Sequence, residues 1–466
     1  MQTYDVVVIG AGPVGEVVAG RVAAGGLSAV VVEAELVGGE CSYWACMPSK
    51  ALLRSVHALR AARRLPGTRE AVTGELDVAA VLARRDAYTS FHDDSGQVRW
   101  LDRAGVALVR GHGRLTGDRT VEVTTSAGVV GLQARHAVVL ATGTSASVPP
   151  LPGLRDADPW TSREATTAKA APPRLVVLGG GVVGLEMAQA WKALGSQAVT
   201  VLEHAPSLLP RLEPFAGQHV ADALREDGID VRLSSTVVRV ERPESGGEVS
   251  VHLEDGTVVV GDELLVAAGR TPSTSDLGLG AVGLEPGRFV PVDDSLRVAG
   301  SDWLYAAGDV NGRVLLTHQG KYQARVVADA VLARVKDEQP PYLAEADAYA
   351  VPQVVFTDPE VAAVGLSTAE AAARGLRTRT VEYEIGRVAG ASLQAEDYKG
   401  RAALVVDVDA GVLVGACFVG QDVAEVVHAA TVAVVGRVPL ERLRHAVPSY
   451  PTTSEVWLRL LEEYGQ

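Results

Sequence analysis

The amino-acid sequence predicts an α/β protein made of two copies of one strand–turn–helix unit, followed by a C-terminal α+β domain. The N-terminal stretch "YDVVVIGAGPVGEVVAG" recurs as "RLVVLGGGVVGLEMAQ" from Arg174, and both copies contain Gly-x-Gly-x-x-Gly. Beyond residue 343, strand-like segments such as "ALVVDVDAGVLVGACFVG" alternate with helix-like segments such as "DVAEVVHAATVAVVG", without another such glycine turn. A chain of 466 residues is long enough for about two to four domains.

The composition is typical of a globular protein with an acidic surface. The hydrophobic fraction is 47% and the aromatic fraction only 5%, so aliphatic side chains must form the cores. The formal charge of -14 argues against general binding to nucleic acids or anionic membranes, because both attract basic surfaces. Three cysteines are too few for a disulfide framework, which favours a reducing cytoplasm.

The apolar stretch from Val6 is predicted to be a strand and a helix of the fold. Glu16, Arg21 and several glycines interrupt it, and no positive charge precedes it. It therefore resembles neither a signal peptide nor a membrane span.

The first copy carries Gly10, Gly12 and Gly15 between an apolar β-branched run and a helix-like segment. Glycines at this spacing allow a tight turn, let a pyrophosphate approach the backbone and let the helix pack closely. The phosphates then lie at the helix N-terminus, where free N–H groups favour anions. The next strand, "SAVVVE", ends at Glu33, whose carboxylate can bind both ribose hydroxyls of an adenosine.

The second copy repeats this fingerprint with Gly179, Gly181 and Gly184, and its strand "AVTVLE" ends at Glu203. A carboxylate there binds ribose hydroxyls and repels a 2′-phosphate. Both copies thus predict Rossmann-like dinucleotide-binding domains, the alternative being tight turns without a ligand. Two dinucleotide sites in one chain suggest a flavin and a nicotinamide.

Three other apolar strands end in residues suited to a ligand. "HAVVLATGTS" ends with Thr142 and Gly143, and "ELLVAAGRTP" with Gly269 and Arg270. "WLYAAGDVNG" presents Asp309, which either binds a ribityl or ribose hydroxyl or simply occupies a turn.

Two proline-rich junctions predict the domain boundaries. "VPPLPGLRDADPW" marks the exit from the first unit, and "DEQPPYLAEADAYAVPQ" precedes the α+β domain. The junctions predict boundaries after residues 150 and 343. The further division at residue 272 is what the resemblance to a known family, given below, implies: a first part of the flavin domain at 1–150, a nicotinamide domain at 151–272, the rest of the flavin domain at 273–343, and the C-terminal domain at 344–466.

The stretch "GGECSYWACMPSK" contains Cys41, Cys46 and Lys50, and the only other cysteine is Cys417. The pair is a redox couple, part of a metal site, or two inert thiols. Zinc prefers about four Cys or His ligands, and no second cysteine pair exists. On an ideal helix, Cα atoms five residues apart are about 8–9 Å apart, beyond the disulfide range of about 4.4–6.8 Å. A disulfide here would therefore distort the start of the helix.

A flavin site, Cys-x4-Cys with a trailing Lys, a nicotinamide site and an α+β domain follow one another in that order. This order resembles the pyridine nucleotide–disulfide oxidoreductases, which include dihydrolipoamide dehydrogenase, glutathione reductase and mercuric reductase. The resemblance covers essentially all 466 residues. "VPQVVFTDPEVAAVGLS" also resembles the start of the family's dimerisation domain. The resemblance thus implies that 344–466 is a dimerisation domain and that the protein is a homodimer.

The resemblance also implies roles for individual residues. Cys41 is the interchange thiol, Cys46 lies against the flavin in a redox-active Cys41–Cys46 disulfide, and Lys50 near flavin N5 pairs with Glu186. The implied FAD-binding residues are Gly10, Gly12, Pro13, Gly15, Glu33, Gly39, Cys41, Lys50, Gly113, Thr142, Gly143, Asp309 and Thr317. The implied nicotinamide-binding residues are Gly179, Gly181, Val182, Gly184, Glu186, Glu203, Gly269 and Arg270. Glu203 favours NADH over NADPH, although His204 and Arg211 lie nearby in the sequence.

The C-terminal stretch departs from the family pattern. Members that reduce disulfides have His-Pro-Thr-x-x-Glu, where the His exchanges protons with the interchange thiol of the other subunit. This chain has "SYPTTSE", with Tyr450 in place of the His and Glu455 retained. An imidazole with a pKa near 6.5 exchanges protons at neutral pH, whereas a phenol near 10 mostly does not. His445, a few residues earlier, is a candidate substitute or an ordinary surface residue.

Two further features distinguish the chain from individual members. Tyr43 and Trp44, between the cysteines, either narrow access, offer a stacking surface, or pack beneath the flavin. Mercuric reductase carries a C-terminal Cys pair, which the ending "LLEEYGQ" lacks. We therefore expect electrons from NADH to pass through FAD and the Cys pair to a small-molecule acceptor, a quinone or an unusual disulfide. The alternative is a dihydrolipoamide dehydrogenase, as a component of a multienzyme complex.

Overall fold

The computed structural model describes residues 1–465, which form two compact units, each discontinuous in sequence. Unit 1 contains Met1–Pro48, Asp86–Ser147 and Gly269–Asp347, and unit 2 contains Ser49–Arg85, Val148–Ala268 and the chain from Ala348 onwards. Neither proline-rich junction indicates that 49–85 belongs to unit 2. The predicted domain boundaries remain a prediction.

The α-helices are numbered in chain order. They are α1 (Pro13–Ala24), α2 (Gly39–Tyr43), α3 (Cys46–Arg64), α4 (Thr68–Ala71), α5 (Val78–Tyr88), α6 (Ser95–Arg103), α7 (Ser162–Thr167), α8 (Val182–Ala193), α9 (Pro214–Glu226), α10 (Thr317–Val335), α11 (Thr368–Ala373), α12 (Ala389–Ser392), α13 (Val423–Val435), α14 (Leu440–Leu443) and α15 (Val456–Tyr464).

The β-strands are numbered in the same way. They are β1 (Gln2–Ile9), β2 (Ala29–Glu33), β3 (Val106–Arg110), β4 (His112–Gly117), β5 (Thr120–Thr125), β6 (Gly128–Leu140), β7 (Thr144–Ala146), β8 (Arg174–Leu178), β9 (Ala198–Leu202), β10 (Asp230–Arg232), β11 (Val237–Glu241), β12 (Val249–Leu253), β13 (Val258–Gly261), β14 (Glu263–Val266), β15 (Arg270–Pro272), β16 (Leu304–Ala306), β17 (Pro352–Val355), β18 (Glu360–Gly365), β19 (Thr378–Glu384), β20 (Arg401–Asp407) and β21 (Val412–Gly420).

The described residues of unit 1 form a seven-stranded sheet in the order β3-β2-β1-β6-β5-β4, with β16 also paired to β6. Strand β1 is parallel to both β2 and β6, with Val6 opposite Ala29 and Ala137. Buried side chains cover both faces of this sheet, and α1 and α10 pack on one of them. Parallel strands buried on both faces have continuous rather than alternating apolar sequences, which explains the runs "VVVI" and "AVVV".

The first glycine turn joins β1 to α1 and leaves no room for side chains. Gly10 has a φ of +100°, and a Cβ there would collide with the carbonyl group of Ala141. A Cβ on Gly15 would overlap the carbonyl oxygen of Gly10. The two glycines therefore bring the first turn of α1 directly over the end of β1.

Unit 2 repeats this geometry around a parallel sheet in the order β10-β9-β8-β14. Gly179 has a φ of +115°, and a Cβ there would lie 2.6 Å from the carbonyl oxygen of Ala267. A Cβ on Gly184 would overlap the carbonyl oxygen of Gly179. The duplication in the sequence is therefore also a duplication of backbone packing.

The rest of unit 2 contains two antiparallel sheets. One has the order β11-β12-β13, and the other, in the C-terminal part, has the order β17-β18-β21-β20-β19 with α13 packed on it. Cys417 lies on β21 and is 3% exposed. The mixed sheet of unit 1, the parallel sheet of unit 2 and the α+β segment confirm the predicted fold class. Within residues 1–465, no helix is long and apolar enough to cross a membrane.

Replacing Gly184 with Ala is expected to lower the thermal unfolding midpoint of the ligand-free protein. The added methyl group overlaps the carbonyl oxygen of Gly179, and such overpacking costs about 1–3 kcal/mol. Gly181→Ala is the matched control, because a Cβ on Gly181 meets no atom within 4 Å. Its stability should stay within about 0.5 kcal/mol of the parent. Differential scanning calorimetry measures both midpoints, and equal midpoints would contradict the packing argument.

Candidate active site

The two cysteines of unit 1 lie where the helical chain is interrupted. Cys41 is on α2, Cys46 begins α3, and Trp44 between them is non-helical with φ −132°. Both cysteines are half-buried. The interruption brings them together, and the hydrogen bond of the Cys41 thiol to Cys46, together with burial, raises the pKa of Cys41. The structure thus has the distortion that a disulfide between them requires.

The position of Cys46 is fixed by the N-terminus of α10. Its Sγ lies 3.4 Å from Oγ1 of Thr317, the first residue of that helix. The free N–H groups at a helix N-terminus favour negative charge. A Cys46 thiolate is therefore stabilised in this position.

The cysteine segment rests on the first glycine turn. Gly38 and Gly39 have φ values of +111° and +60°, which side chains rarely adopt. A Cβ on Gly39 would lie 2.7 Å from the Cα of Gly12. The contact between the two backbones places α2, and with it Cys41, beside the N-terminus of α1.

The aromatic residues between the cysteines have different environments. Tyr43 is 1% exposed and its hydroxyl donates a hydrogen bond to the carbonyl oxygen of Val37 at 3.0 Å. Trp44 is half-buried, and its ring lies 5.7 Å from that of His92. Tyr43 is therefore a packing residue, and only Trp44 is positioned to narrow access or stack on an acceptor. The sequence did not predict that His92 joins this cluster.

The acidic residues of the two fingerprints make the same pair of hydrogen bonds. Glu33 accepts from the backbone N–H groups of Ala11 at 2.7 Å and Glu35 at 2.8 Å. Glu203 accepts from those of Gly180 at 2.6 Å and Ala205 at 2.7 Å. Each carboxylate thereby ties the glycine turn to the end of the neighbouring strand. Each oxygen keeps a lone pair for a further donor such as a ribose hydroxyl.

Asp309 belongs to a buried network in unit 1. Thr144 donates a hydrogen bond to Asp309 at 2.8 Å and accepts one from Nε of Arg270 at 2.8 Å. Burial raises the pKa of Asp309. The sequence did not single out Thr144, although it follows Gly143 directly.

Gly269 and Arg270, assigned to the nicotinamide domain from the sequence, lie in unit 1 instead. Arg270 is on β15, which pairs with β7 through Thr144–Ala146. Gly113 lies on β4, where a Cβ would lie 3.1 Å from a methyl carbon of Val32.

Lys50 and Glu186 form the predicted ion pair. Lys50 Nζ lies 2.6 Å from Glu186 Oε2 and 5.0 Å from the ring centre of Phe356. The other carboxylate oxygen of Glu186 accepts a hydrogen bond from the backbone N–H of Phe356 at 3.0 Å. Glu186 lies on α8 and is 2% exposed. The pairing is confirmed, and its position near a flavin remains a prediction.

In the C-terminal stretch, Tyr450 is exposed to solvent and Glu455 is buried and hydrogen-bonded. Tyr450 is 78% exposed, and His445 is also exposed. Glu455 is buried and its Oε1 accepts a hydrogen bond from Arg459 at 2.9 Å. Its Oε2 is buried and has no hydrogen-bond partner among the described residues. One carboxylate oxygen of Glu455 can therefore accept a hydrogen bond from a further donor.

The comparisons with known proteins agree with this geometry. The family model described as "Pyridine nucleotide-disulphide oxidoreductase" matches residues 4–328, and that of its dimerisation domain matches residues 351–460. The chain belongs to the pyridine nucleotide–disulphide oxidoreductase family. It is thus an FAD-dependent oxidoreductase, and the family uses FAD with a pyridine nucleotide.

Relatives of this oxidoreductase align along nearly its whole length. A dihydrolipoyl dehydrogenase from Thermus scotoductus is 32% identical over 464 residues, covering 98% of this chain and 96% of that protein. A mercuric reductase from Shigella flexneri is 32% identical, covering 97% of this chain and 79% of that protein. The Cu(II) complex of the HOCl-induced flavoprotein disulfide reductase RclA from Escherichia coli has a TM-score of 0.86 at 25% identity, covering 99% of both chains. LpdA from Mycobacterium tuberculosis has a TM-score of 0.84 at 25% identity, covering all of both chains.

The residues of this oxidoreductase fit its family's cofactors. In unit 1, the Thr142 hydroxyl is buried and has no hydrogen-bond partner among residues 1–465, which suits a polar ligand. A Cβ on the adjacent Gly143, which has a φ of +67°, would meet no atom within 4 Å. In unit 2, the same open space lies beside Gly181, directly before Val182 at the start of α8. Beside both glycines, the space that a side chain would fill is open to a ligand.

Lys50→Met is expected to destabilise the oxidoreductase, because it leaves the buried Glu186 carboxylate without its cation. Breaking a fully buried pair costs about 3–5 kcal/mol; Lys50 is 35% exposed, so about 2–3 kcal/mol is expected. Adding Glu186→Gln in the double variant should recover most of the loss, since no buried charge then remains. Thermal unfolding of the two single variants and the double variant forms the cycle. Additive losses would show that the pair is not coupled.

Proposed function

We propose that the enzyme oxidises NADH and passes the electrons through FAD and the Cys41–Cys46 couple to a quinone or an unusual disulfide. The observation that carries this proposal is the combination of a complete cysteine segment with Tyr450 at the position of the family histidine. Electron transfer to the cysteines needs only their proximity and a stabilised thiolate. Turnover of an ordinary dithiol needs, in addition, a group that exchanges protons at neutral pH.

FAD is proposed to be held by Gly10, Gly12, Pro13 and Gly15 at its pyrophosphate, by Glu33 at its adenosine ribose, and by other residues along its length. These other residues are Gly39, Cys41, Lys50, Gly113, Thr142, Gly143, Asp309 and Thr317. A flavin held there would supply the two-electron chemistry between NADH and the cysteines. The protein's own part is to fix the two thiols, to stabilise a Cys46 thiolate beside Thr317, and to hold Lys50 in position through its ion pair with Glu186.

The nicotinamide cofactor is proposed to bind at Gly179, Gly181, Val182 and Gly184, with Glu186, Glu203, Gly269 and Arg270 as further contacts. NADH is preferred because the Glu203 carboxylate lies where a 2′-phosphate would have to bind. His204 Nδ1 lies 2.9 Å from Glu203 Oε1. A charged imidazole there would weaken the repulsion, so we expect a preference rather than complete exclusion of NADPH.

Glu203→Gln is expected to reduce the ratio of kcat/KM for NADH to that for NADPH by about tenfold, a loss of roughly 1.4 kcal/mol in discrimination. The amide keeps an acceptor for one of the two backbone N–H groups and removes the negative charge. Steady-state kinetics with both cofactors and one acceptor measure the ratio. Glu35→Gln, an exposed position beside the other carboxylate, is the control and should leave the ratio unchanged. An unchanged ratio in the Glu203 variant would remove the argument for NADH.

The enzyme is proposed to act as a homodimer in the cytoplasm, with the C-terminal stretch of the partner subunit completing the acceptor site. The match of residues 351–460 to a dimerisation domain and the exposed Tyr450 support the dimer. Mercuric ion is not favoured as the acceptor, although relatives are named mercuric reductase. Cys417 is buried in a sheet strand and supplies no exposed thiol to deliver the metal.

The second candidate is a dihydrolipoamide dehydrogenase acting in a multienzyme complex. Relatives that carry the name dihydrolipoyl dehydrogenase, at up to 32% identity, favour it. It requires an acid–base group other than Tyr450, such as His445. Co-purification with lipoyl-bearing proteins would support it, and an isolated dimer would count against it.

The deciding experiment compares NADH oxidation with menadione and with lipoamide, using the parent protein, Cys41→Ser and Tyr450→His. We expect strong menadione turnover and lipoamide turnover that is lower by about a hundred- to ten-thousand-fold, the range for losing a general base. Tyr450→His should raise lipoamide turnover at least about tenfold. Tyr88→His, at an exposed tyrosine elsewhere in the chain, is the control and should raise neither lipoamide turnover nor menadione turnover.

Strong lipoamide turnover by the parent protein would overturn the proposal in favour of the second candidate. Loss of menadione turnover in Cys41→Ser would place the cysteine couple on the route to the quinone. Retained turnover in that variant would place the acceptor directly at the flavin and contradict a route through the couple.

A further inference from the structure

The carboxylate of Asp347, the last residue of unit 1, binds the first two turns of α10. Gln319 Nε2 donates a hydrogen bond to Asp347 Oδ1 at 2.7 Å, and Gln323 Nε2 donates one to Oδ2 at 2.8 Å. Arg313 Nε lies 3.1 Å from the same Oδ2, and the Asp347 side chain is 1% exposed. Three donors thus converge on one buried carboxylate, which compensates it for the loss of water.

The amide of Gln323 connects Asp347 to the turn that contains Asp309. Its Oε1 accepts hydrogen bonds from the backbone N–H of Gly308 and from Nδ2 of Asn311, both at 2.8 Å. Because an ionised carboxylate has no donor, Gln323 must turn its NH2 group towards Asp347 and its oxygen towards Gly308. Asp347 therefore sets the orientation of a fully buried amide, and through it the position of the residue before Asp309.

The amide of Gln319 connects Asp347 to the cysteine couple. Gln319 is buried in the first turn of α10, two residues after Thr317. Thr317 Oγ1 lies 3.4 Å from Cys46 Sγ. The free N–H groups of this turn favour negative charge. The hydrogen bond from Gln319 to Asp347 thus holds the helix end that faces the Cys46 thiol.

The turn of Asp309 and the start of α10 also contact each other. A Cβ on Gly320 of α10 would lie 3.3 Å from the Cα of Gly308 and 2.7 Å from a methyl carbon of Val14. Glycine at both positions lets the two backbones meet, so a displacement of one is passed to the other. Asp347 is therefore placed to fix both of them together.

We propose that Asp347 is a positioning residue of the cysteine couple. It holds Thr317 at the Cys46 thiol and, through the same carboxylate, holds Asp309 where the proposed FAD site requires it. The inference rests on the proposed roles of Cys46 and Asp309 and is independent of the acceptor that the enzyme reduces. Loss of the carboxylate should weaken both the reactivity of Cys46 and the binding of FAD.

The first experiment measures the reactivity of Cys46 without turnover. A Cys41→Ser background leaves one thiol of the couple. The FAD-loaded protein is reduced with dithiothreitol and treated with iodoacetamide at pH 7, and alkylation of Cys46 is followed by mass spectrometry. Asp347→Leu should lower the rate by roughly two- to thirtyfold, the range that the effect of a helix N-terminus on a negative charge allows.

Asp347→Asn is the conservative variant. Its side-chain oxygen can accept hydrogen bonds from Gln323 and Arg313, while Gln319 can turn its own amide oxygen towards the remaining NH2 group. The alkylation rate should therefore stay within about twofold of the parent rate. A rate as low as that of Asp347→Leu would contradict the argument from hydrogen-bond orientation.

Asp294→Leu is the matched control for the ion pair. Asp294 also contacts Arg313, at 2.9 Å, but its side chain is 62% exposed. This variant should leave the alkylation rate unchanged. A loss equal to that of Asp347→Leu would assign the effect to Arg313 rather than to the two glutamines and would overturn the inference.

The second experiment measures the dissociation constant of FAD by titration of flavin fluorescence. Asp347→Leu should raise it at least about tenfold, the effect of losing one hydrogen bond to a charged group. Gln319→Met removes only the link to the first turn of α10. It should lower the alkylation rate of Cys46 and leave the dissociation constant within about twofold of the parent value.

The outcomes separate this inference from the proposed function. Equal alkylation rates in the parent and Asp347→Leu proteins, both shown by thermal unfolding to be folded, would overturn the inference. If Asp347→Leu does not fold, Gln319→Met decides, because an unchanged alkylation rate in that variant would also overturn it. Absence of menadione turnover in the parent protein would overturn the proposed function and leave the alkylation test unaffected.

Discussion

The contact between Gly12 and Gly39 is the constraint on which the active site of unit 1 depends. Without side chains on either residue, the segment that carries the cysteines lies directly against the glycine turn. One backbone feature therefore fixes two positions at once, the N-terminal end of α1 and the start of the Cys41 helix. The thiols and the first glycine turn are thus held together by main-chain packing rather than by flexible side chains.

The two glycine turns share one backbone arrangement. In each turn, the glycine at the third position of the helix packs on the carbonyl oxygen of the first glycine of the motif. A carboxylate at the end of the next strand accepts a hydrogen bond from a backbone N–H group of the turn. The two turns differ in the side chains that surround them. Unit 1 adds thiols, aromatic rings and the buried Thr144–Asp309 network, whereas unit 2 adds Glu186 with its ammonium partner. The scaffold is common, and the chemistry is added by residues distant in sequence.

The sequence was sufficient for features set by local pattern. The glycine turns, the acidic strand ends and the break between the cysteines all follow from spacing, and the Lys50–Glu186 pair followed from the family resemblance. It was not sufficient where distant segments meet. His92 contacts Trp44 through the packing of segments that no sequence periodicity connects.

The carboxylate of Glu203 has a consequence for how this protein can evolve. Its two oxygens accept hydrogen bonds from the backbone N–H groups of Gly180 and Ala205, and under the proposed function the same group would repel a 2′-phosphate. A lineage that came to depend on the phosphorylated cofactor would have to replace this residue, and most replacements leave backbone N–H groups buried without acceptors. Such orphaned groups cost about 1–3 kcal/mol each. Cofactor choice is therefore inherited together with the architecture of the turn, and a switch requires compensating changes elsewhere in the same unit.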